Sequence, residues 1–194
     1  NQESAREFLS SVRRACHQSD CALVGGETAE MPGVYHGNDF DCAGFAVGVV
    51  DEEKSLGPQK VREGDILIGV SSSGFHSNGY SLIRKVFAKD LKKYQKQLLE
   101  PTALYVRLSQ ALRREIDVHA FAHITGGGIE NIPRILPENL QWNRRDWEWP
   151  ELFKIVQKRT GMSHEEMLRT LNCGIGFVCV LPKSDSMLAQ KIIE

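Results

Sequence analysis

The hydrophobic positions near the start of the chain recur at helical spacing, with charged residues between them. They predict an amphipathic helix over residues 2–18, with an apolar face made of Ala5, Phe8, Leu9, Val12, Ala15 and Cys16. Two apolar runs follow, CALVGG at 21–26 and DCAGFAVGVV at 41–50, and each predicts a strand. Between them, MPGVYHGND at 31–39 contains turn-forming residues and predicts a loop.

A polar segment over residues 51–64 contains Gly57 and Pro58 and predicts a domain boundary, which gives domains at 1–55 and 56–194. Beyond it, strands alternate with helices, which indicates an α/β (α+β layered) domain with a mixed sheet flanked by helices. The predicted strands cover 65–71, 118–124 and 173–181. The predicted helices cover 79–88, 101–114 (with Pro101 in the first position), 129–136, 150–159, 163–171 and 184–193.

Composition limits the classes of function. Hydrophobic residues make up 41% of the chain and charged residues 25%, and a net charge of -1 creates no field that would attract nucleic acid or an anionic membrane. The longest apolar run, 43–50, is far shorter than the ~20 residues that span a bilayer. The five cysteines lack CxxC spacing and are odd in number, so we expect buried free thiols rather than disulfides or zinc ligands. Together these features predict a cytoplasmic protein without nucleic-acid or membrane partners.

The stretch GVSSSGFHSNGYSL at 69–82 joins a predicted strand to a predicted helix. Gly74 and Gly79 allow positive φ and a close approach of the backbone to a ligand, while Ser77 or Asn78 can cap the helix. His76 is the one side chain of this stretch whose charge can change near neutral pH. The stretch is typical of an anion site at a helix N-terminus, and an ordinary strand-to-helix turn is the alternative.

The stretch HITGGGIENIPRIL repeats this arrangement with Thr125 and three glycines, Gly126, Gly127 and Gly128. Three successive glycines lose backbone entropy on folding and add nothing to packing, so a nest of N–H groups around a phosphate is favoured over a tight turn. His119 and His123 flank the strand before it, and packing is the favoured role for His119.

Two further stretches contain candidate polar groups. Glu27 and Glu30 in GGETAEMPG could bind Mg²⁺, accept hydrogen bonds from an amidine, or cap a helix. Asn172 in LNCGIGFVCVL precedes a glycine-containing strand, where a ligand contact and a close strand packing are equally favoured. The chain contains no GxxxxGK[ST] loop, no GxGxxG fingerprint and no GxSxG elbow.

Four motifs together resemble one enzyme family. GGETAEMPGVYH, GDILIGVSSSGFHSNGYSL, DVHAFAHITGGG with ENIPRILP, and RTLNCGIGF stand in the order and at the spacing of phosphoribosylformylglycinamidine cyclo-ligases, also called aminoimidazole ribonucleotide synthetases. The resemblance implies an ATP- and Mg²⁺-dependent ligase that closes the imidazole ring of formylglycinamidine ribonucleotide in purine biosynthesis, and a homodimer. It also implies that 1–55 is the end of an N-terminal ATP-binding and dimerisation domain, and that 56–194 is most of a substrate-binding domain, with segments missing at both ends of the chain.

Together with the chemistry of its loop, the resemblance assigns His76 as the catalytic residue that positions or activates the formyl amide, or stabilises its phosphorylated form. It assigns substrate binding to Gly74, Ser77, Asn78, Gly79, Thr125, Gly126, Gly127 and Gly128, with Glu27 as a weaker candidate for an amidine or Mg²⁺ contact. Ile129 alone separates TGGG from ENIPR, where the family usually has two residues. Another ATP-dependent enzyme of the superfamily, such as a selenophosphate synthetase or an amidotransferase subunit, is one alternative. A non-catalytic substrate-binding or dimerisation module is the other, and this chain by itself is expected to be inactive.

Overall fold

The computed structural model describes residues 2–37 and 39–194, which divide after Ser55 into two units. In the first unit the predicted helix is present as α1, Gln2–Gln18. The strands predicted at 21–26 and 41–50 are wrong, because neither segment forms a strand, and Phe45, Val47 and Val49 are 97–99% exposed. A strand is stable only when its N–H and C=O groups pair with a neighbour, and these segments have none among the described residues of this unit.

The second unit contains a three-stranded sheet formed by β1 (Ile66–Ser71), β2 (Ala120–His123) and β3 (Ile175–Leu181). The strand order is β1-β3-β2, and β3 is antiparallel to both neighbours. The prediction of a mixed sheet is therefore wrong. The alternation of strands and helices does give β1 and β2 the same direction, but the last strand then fills the gap between them in the opposite direction.

Six α-helices of this unit lie between or after the strands: α2 Tyr80–Val86, α3 Leu91–Leu98, α4 Val106–Glu115, α5 Glu151–Thr160, α6 His164–Thr170 and α7 Ser186–Ile193. The sequence pattern predicted all of them except α3. Pro101 does not open a helix, since α4 begins at Val106. The helix predicted over 129–136 is instead two 3-10 turns, Gly128–Asn131 and Pro133–Ile135, because a proline N cannot continue an α-helical ladder.

Alternate residues of the strands pack on opposite faces of the sheet. Val70, Phe177 and Leu181 face a core shared with Leu112 of α4 and Ala189 of α7. The other face carries Leu67 of β1, Ala122 of β2 and Val178 of β3. A register shift between Val70 and Ser71 ends the regular pairing of β1 with β3, so the chain leaves the sheet just before the serine-rich stretch.

A separate core holds the helices that follow this stretch. Phe75 is buried there against Phe153 of α5, with ring centroids 4.8 Å apart, and against Leu168 of α6. The α6 helix begins with a capping box between Ser163 and Glu166. Because Phe75 is anchored in this core, the loop around it has a defined position relative to β1 and β3.

Two smaller predictions have mixed outcomes. His119 packs as predicted: it is 3% exposed, and its Nδ1 lies 2.6 Å from Asp65 Oδ2. The cysteines are free as predicted, but Cys21 and Cys42 are exposed, and only Cys173 and Cys179 are fully buried. Burial raises the pKa of each of these two buried thiols to about 12, so neither is a reactive thiolate at neutral pH. No helix in the described part of the chain has the length and apolarity needed to cross a bilayer.

Candidate functional site

The loop over residues 72–79 connects β1 to α2 and carries His76 on its inner side. His76 is 2% exposed and has a φ of +56°, a left-handed backbone conformation that is uncommon for residues other than glycine. Its neighbour Phe75 is also buried, whereas Ser77 is exposed. The loop therefore turns its one titratable side chain, His76, into the protein and leaves the hydroxyl of Ser77 at the surface.

The two ring nitrogens of His76 have different environments. Nε2 accepts hydrogen bonds from the backbone N–H groups of Ser73, at 3.2 Å, and Ala103, at 3.4 Å. Nε2 therefore carries no proton, and the neutral ring has its proton on Nδ1. This Nδ1 atom is buried and has no hydrogen-bond partner among the described residues. Burial first, and then the nearby His123, lower the pKa of His76, so the imidazole is neutral at neutral pH.

Residues 101–105, which have no regular secondary structure, form a wall against the loop. Ser73 Oγ donates to the Pro101 carbonyl at 2.6 Å, and the hydroxyls of Ser77 and Thr102 are 3.2 Å apart. At the end of the wall, Tyr105 Oη donates to the Ser71 carbonyl at 2.7 Å. These bonds hold the segment away from the helical path predicted from Pro101, because its polar groups are committed to the loop after β1.

Tyr105 is the centre of a ring cluster behind His76. Its ring stacks on Phe177 at 5.0 Å and lies 5.8 Å from the ring of His123, which is exposed. Burial raises the pKa of Tyr105 to about 12, so the hydroxyl remains protonated and can keep donating to β1. Gly176 of β3 is adjacent, and a Cβ at this position would overlap with Tyr105 Oη and His76 Cε1.

The TGGG turn presents two free backbone donors. The N–H of Gly128 donates to the Thr125 carbonyl at 3.0 Å, but no hydrogen bond within the described residues uses the N–H groups of Gly126 or Gly127. The carbonyls are occupied instead, because Asn131 Nδ2 donates to Gly126 O at 3.3 Å and to Gly128 O at 2.8 Å. With its carbonyls held inward and two N–H groups free, the turn has the polarity that an anion requires.

The loop 72–79 and the TGGG turn lie side by side. The rings of His76 and His123 are 6.2 Å apart, and a Cβ on Gly126 would lie 3.6 Å from Asn78 Oδ1. Asn172 joins the loop to the start of β3, since Nδ2 donates to the Gly74 carbonyl at 2.9 Å. The two glycine-containing stretches singled out in the sequence are therefore parts of one surface.

Several details of the predicted site residues differ from the expectations. Neither Ser77 nor Asn78 caps α2, whose N-cap is Gly79 at a φ of +73° without a side-chain cap. Gly74 does not have a positive φ. The Thr125 hydroxyl donates to Asn131 Oδ1 at 2.9 Å and so stabilises the turn.

Glu27 lies in the first unit, where it is exposed in a segment without regular secondary structure. In the described residues no group of three or more His, Cys, Asp or Glu side chains could hold a metal ion. Glu27 and Glu30 therefore have no partners there that would complete a metal site.

A cleft of about 860 Å³ in the second unit borders the TGGG turn, and its lining includes Leu67 and Val178 of the sheet together with Ile124, Ile129 and Asn172. None of its lining residues belongs to 74–79 or 125–128. We place the candidate site at the two loops, because they combine hydroxyls, histidines and N–H groups that have no partner among the described residues. The cleft instead combines apolar sheet residues with charged side chains, and two of these, Asp65 and Arg144, are held by His119 and Glu165.

Sequence reasoning missed three residues that organise the site: Asn131, Tyr105 and Ala103. Asn131 could have been predicted from the sequence, because an asparagine side chain three residues after a glycine run can form hydrogen bonds with the backbone of that turn. Tyr105 and Ala103 had none, since their partners, Ser71 and His76, are 27 or more residues away along the chain.

One protein family matches this chain. Its model, described as AIR synthase related protein, C-terminal domain, matches residues 62–194, more than half of the chain. The matched range contains the loop 72–79, the wall 101–105 and the TGGG turn, and it excludes Glu27.

Proposed function

The chain belongs to the AIR synthase related protein family through the C-terminal domain at residues 62–194, and from this membership we propose that it is the substrate-binding part of phosphoribosylformylglycinamidine cyclo-ligase. The AIR synthase related superfamily consists generally of ATP-dependent enzymes. The proposal goes further in naming the substrate, formylglycinamidine ribonucleotide, and the product, aminoimidazole ribonucleotide, in a cytoplasmic pathway. It assigns 56–194 to substrate binding and 1–55 to the end of an ATP-binding and dimerisation domain.

The proposed reaction activates an amide oxygen and then displaces it. The γ-phosphoryl group of ATP is transferred to the formyl amide oxygen, the amide N–H proton is lost, and ADP is released. The amidine nitrogen then attacks the formyl carbon and forms the new C–N bond. The attacking nitrogen loses its proton to solvent, the C–O bond breaks, and inorganic phosphate leaves with the electron pair. One proton then moves from the ring CH₂ to the imino nitrogen and gives the aminoimidazole. Phosphoryl transfer depends on positioning and charge stabilisation, so the chain needs no nucleophilic side chain.

The observation that carries the proposal is the pairing of the loop 72–79 with the TGGG turn. The substrate combines a phosphate with a formyl amide and an amidine, so its site needs an anion-binding turn beside neutral polar groups. The free N–H groups of Gly126 and Gly127 suit the phosphate. Exposed Ser77 and His123 provide the neutral groups next to that turn.

His76 is proposed to act as a neutral hydrogen-bond donor. Since Nε2 is occupied by two backbone N–H groups, the proton on Nδ1 is the one that can be offered to the formyl oxygen. The lowered pKa keeps this donor uncharged, which suits an amide whose oxygen must still react with ATP. Nδ1 is buried in the present loop conformation, so the proposal includes a movement of the loop when substrate binds.

ATP and Mg²⁺ belong to the proposal as the co-substrate and its metal. The described residues contain no group of carboxylates or histidines that fits a metal ion. We therefore assign Mg²⁺ no complete site in this chain and route no step through it. Glu27 remains a proposed contact to the amidine or to Mg²⁺.

The proposal is tested by calorimetric titration of formylglycinamidine ribonucleotide into the chain, with the corresponding nucleoside as the matched control. We expect saturable binding of the nucleotide, competition by excess inorganic phosphate, and much weaker binding of the nucleoside. Equal affinity for the two compounds would remove the phosphate site from the proposal. Failure of both to bind would contradict the assignment of substrate binding to 56–194, whereas the family membership would stand.

A further inference from the structure

Arg134 lies beside the TGGG turn, and no residue that the structure describes forms an ion pair with it. It is an exposed residue of the 3-10 turn Pro133–Ile135. One terminal nitrogen of its guanidinium lies 3.9 Å from the position that a Cβ on Gly127 would take. No ion pair or side-chain hydrogen bond within the described residues engages Arg134. By contrast, Arg159 is held by Asp90 at 2.6 Å and Arg144 by Glu165 at 2.8 Å.

The surroundings of Arg134 leave its charge available to a ligand. The nearest acidic residue along the chain on the turn side is Glu130, and Glu130 Oε1 lies 3.4 Å from Arg169 Nε. The carbonyls of Gly126 and Gly128 are held by Asn131, so they do not direct negative charge outward. Within the described part of the chain, the guanidinium and the N–H groups of Gly126 and Gly127 are the donors of this turn that no hydrogen bond or ion pair occupies.

We propose that Arg134 binds the phosphate of the substrate together with the N–H groups of Gly126 and Gly127. This inference rests on the proposed function, because it takes the ligand to be a ribose 5-phosphate ester. A phosphomonoester is close to a dianion at neutral pH and has several oxygen acceptors. Two backbone N–H groups supply directed donors but no net charge, and a guanidinium adds both a charge and a planar fork of donors. The pairing fixes the phosphate end of the substrate, so that its formyl amide is directed toward the loop 72–79.

The test compares Arg134→Gln and Arg134→Lys with the unaltered chain. Arg84→Gln is the charge-matched control, because Arg84 is exposed in the last turn of α2 and has no side-chain ion pair among the described residues. Calorimetry measures binding of formylglycinamidine ribonucleotide and of its nucleoside to each variant, and circular dichroism checks that each variant is folded.

We expect Arg134→Gln to weaken nucleotide binding by about 10- to 100-fold, the range for loss of a charge-assisted hydrogen bond. Nucleoside binding should change by less than about twofold, because no charged group of the nucleoside meets Arg134. Arg134→Lys should recover part of the affinity, since it restores the charge without the fork. Arg84→Gln should match the unaltered chain for both compounds.

The outcomes separate the two proposals. If Gly127→Val weakens nucleotide binding but Arg134→Gln does not, the role of Arg134 is overturned and the phosphate site stands. If Arg134→Gln weakens the binding of nucleotide and nucleoside equally, Arg134 does not bind the phosphate. If the unaltered chain binds neither compound, the proposed function fails, and the role of Arg134 fails with it.

Discussion

His76 combines burial, a left-handed backbone and a ring with one satisfied nitrogen. A histidine in this state resists protonation, because a charged ring would lose the two N–H bonds to Nε2 and gain no compensating partner for its charge. The residue therefore connects the loop to the wall 101–105 only in its neutral form. Its side chain makes the position of the loop dependent on pH.

The stability of the chain should fall below pH 6.5. Burial lowers the pKa of His76 from its ordinary value of 6.5, so the unfolded chain takes up the proton more readily than the folded one. The contribution is fully present above 6.5, and it is lost as the pH falls from there towards the folded-state pKa, with a limiting slope of about 1.4 kcal/mol per pH unit. Urea denaturation at about pH 7.5 and about pH 5.5 measures the change in the free energy of unfolding.

His76→Asn is the matched variant for this measurement, because asparagine tolerates the left-handed region and does not titrate. It should show a smaller loss of stability on acidification than the unaltered chain. The remaining loss belongs in part to His123, whose pKa is also lowered because the neighbouring rings partly desolvate its exposed imidazole. An identical pH dependence in the two proteins would show that His76 does not contribute.

His76→Ala should reduce turnover by about 100-fold or more in an active cyclo-ligase that contains this domain. The reason is that the proposed Nδ1–H donor to the formyl oxygen is removed, and positioned proton donors contribute about 10²- to 10⁴-fold. Steady-state kinetics with ATP and formylglycinamidine ribonucleotide provides the measurement. Unchanged kcat in a folded His76→Ala enzyme would remove the residue from the mechanism.

Gly176→Ala should destabilise the second unit by about 1–3 kcal/mol, the usual effect of adding a methyl group to a filled core. The added Cβ would overlap with Tyr105 Oη and His76 Cε1, and both rings are held by further contacts. Gly74→Ala is the control for stability, because its Cβ would meet its nearest neighbours at 3.7 and 3.8 Å, an ordinary contact. Equal urea midpoints for the two variants would contradict the close packing at Gly176.

At this scale the sequence predicted two candidate loops but not the contacts between them. Small polar residues around His76, and three glycines after Thr125, pointed to the two loops that the structure places together. The inward direction of His76 depends on Ser73 and on Ala103, which is 27 residues away. Because the wall 101–105 supplies that contact, no local pattern could have predicted it.

At the scale of elements, the geometry of the TGGG turn predicts how a substitution at Gly127 changes ligand binding. Gly127 has a φ of +98°, and a Cβ there would lie 3.4 Å from the Asn131 amide that holds the turn. Gly127→Val should therefore distort the two free N–H groups and weaken nucleotide binding about tenfold or more, or at least 1.4 kcal/mol. Nucleoside binding should be spared, and calorimetry with the two compounds measures the difference. Equal losses for nucleotide and nucleoside would contradict a phosphate-binding turn.

Some helices and strands can be predicted from the periodicity of their hydrophobic residues alone, and others cannot. β1, β3, α5 and α6 follow their hydrophobic patterns and have local stop signals, such as Gly161 after α5. α3 was missed although its sequence, LKKYQKQL, places Leu91, Tyr94 and Leu98 at helical spacing, with Tyr94 and Leu98 packed in the helical core. The segments 21–26 and 41–50 have strand-like composition but no partner strand, and composition alone cannot supply one.

For the whole molecule, the exposed segment 41–50 should make the chain self-associate. The apolar side chains of Phe45, Val47 and Val49 are almost fully exposed, and unpaired apolar strand-like segments promote pairing with another copy. The proposed homodimer would bury them. Light scattering across protein concentration should show masses above that of the 21.8 kDa monomer.

Val47→Lys should shift this association towards monomer, because a charge in the apolar segment opposes its burial. Ser10→Lys is the control, since Ser10 is exposed on α1 and the substitution adds the same charge. A discrete dimer in the unaltered chain would support the proposed homodimer, and a mass that keeps rising with concentration would indicate open-ended association instead. A monomer at every concentration would contradict the prediction.

The strand order also determines when the domain can form during synthesis. β1 and β2 do not pair with each other, and all ladder hydrogen bonds of this sheet involve β3, the last of its three strands to leave the ribosome. Asn172 and Gly176, which hold and pack the loop at His76, emerge with it. The two earlier strands therefore stay without their sheet partner until β3 has been synthesised. A premature stop before residue 175 would remove the entire sheet, not one third of it.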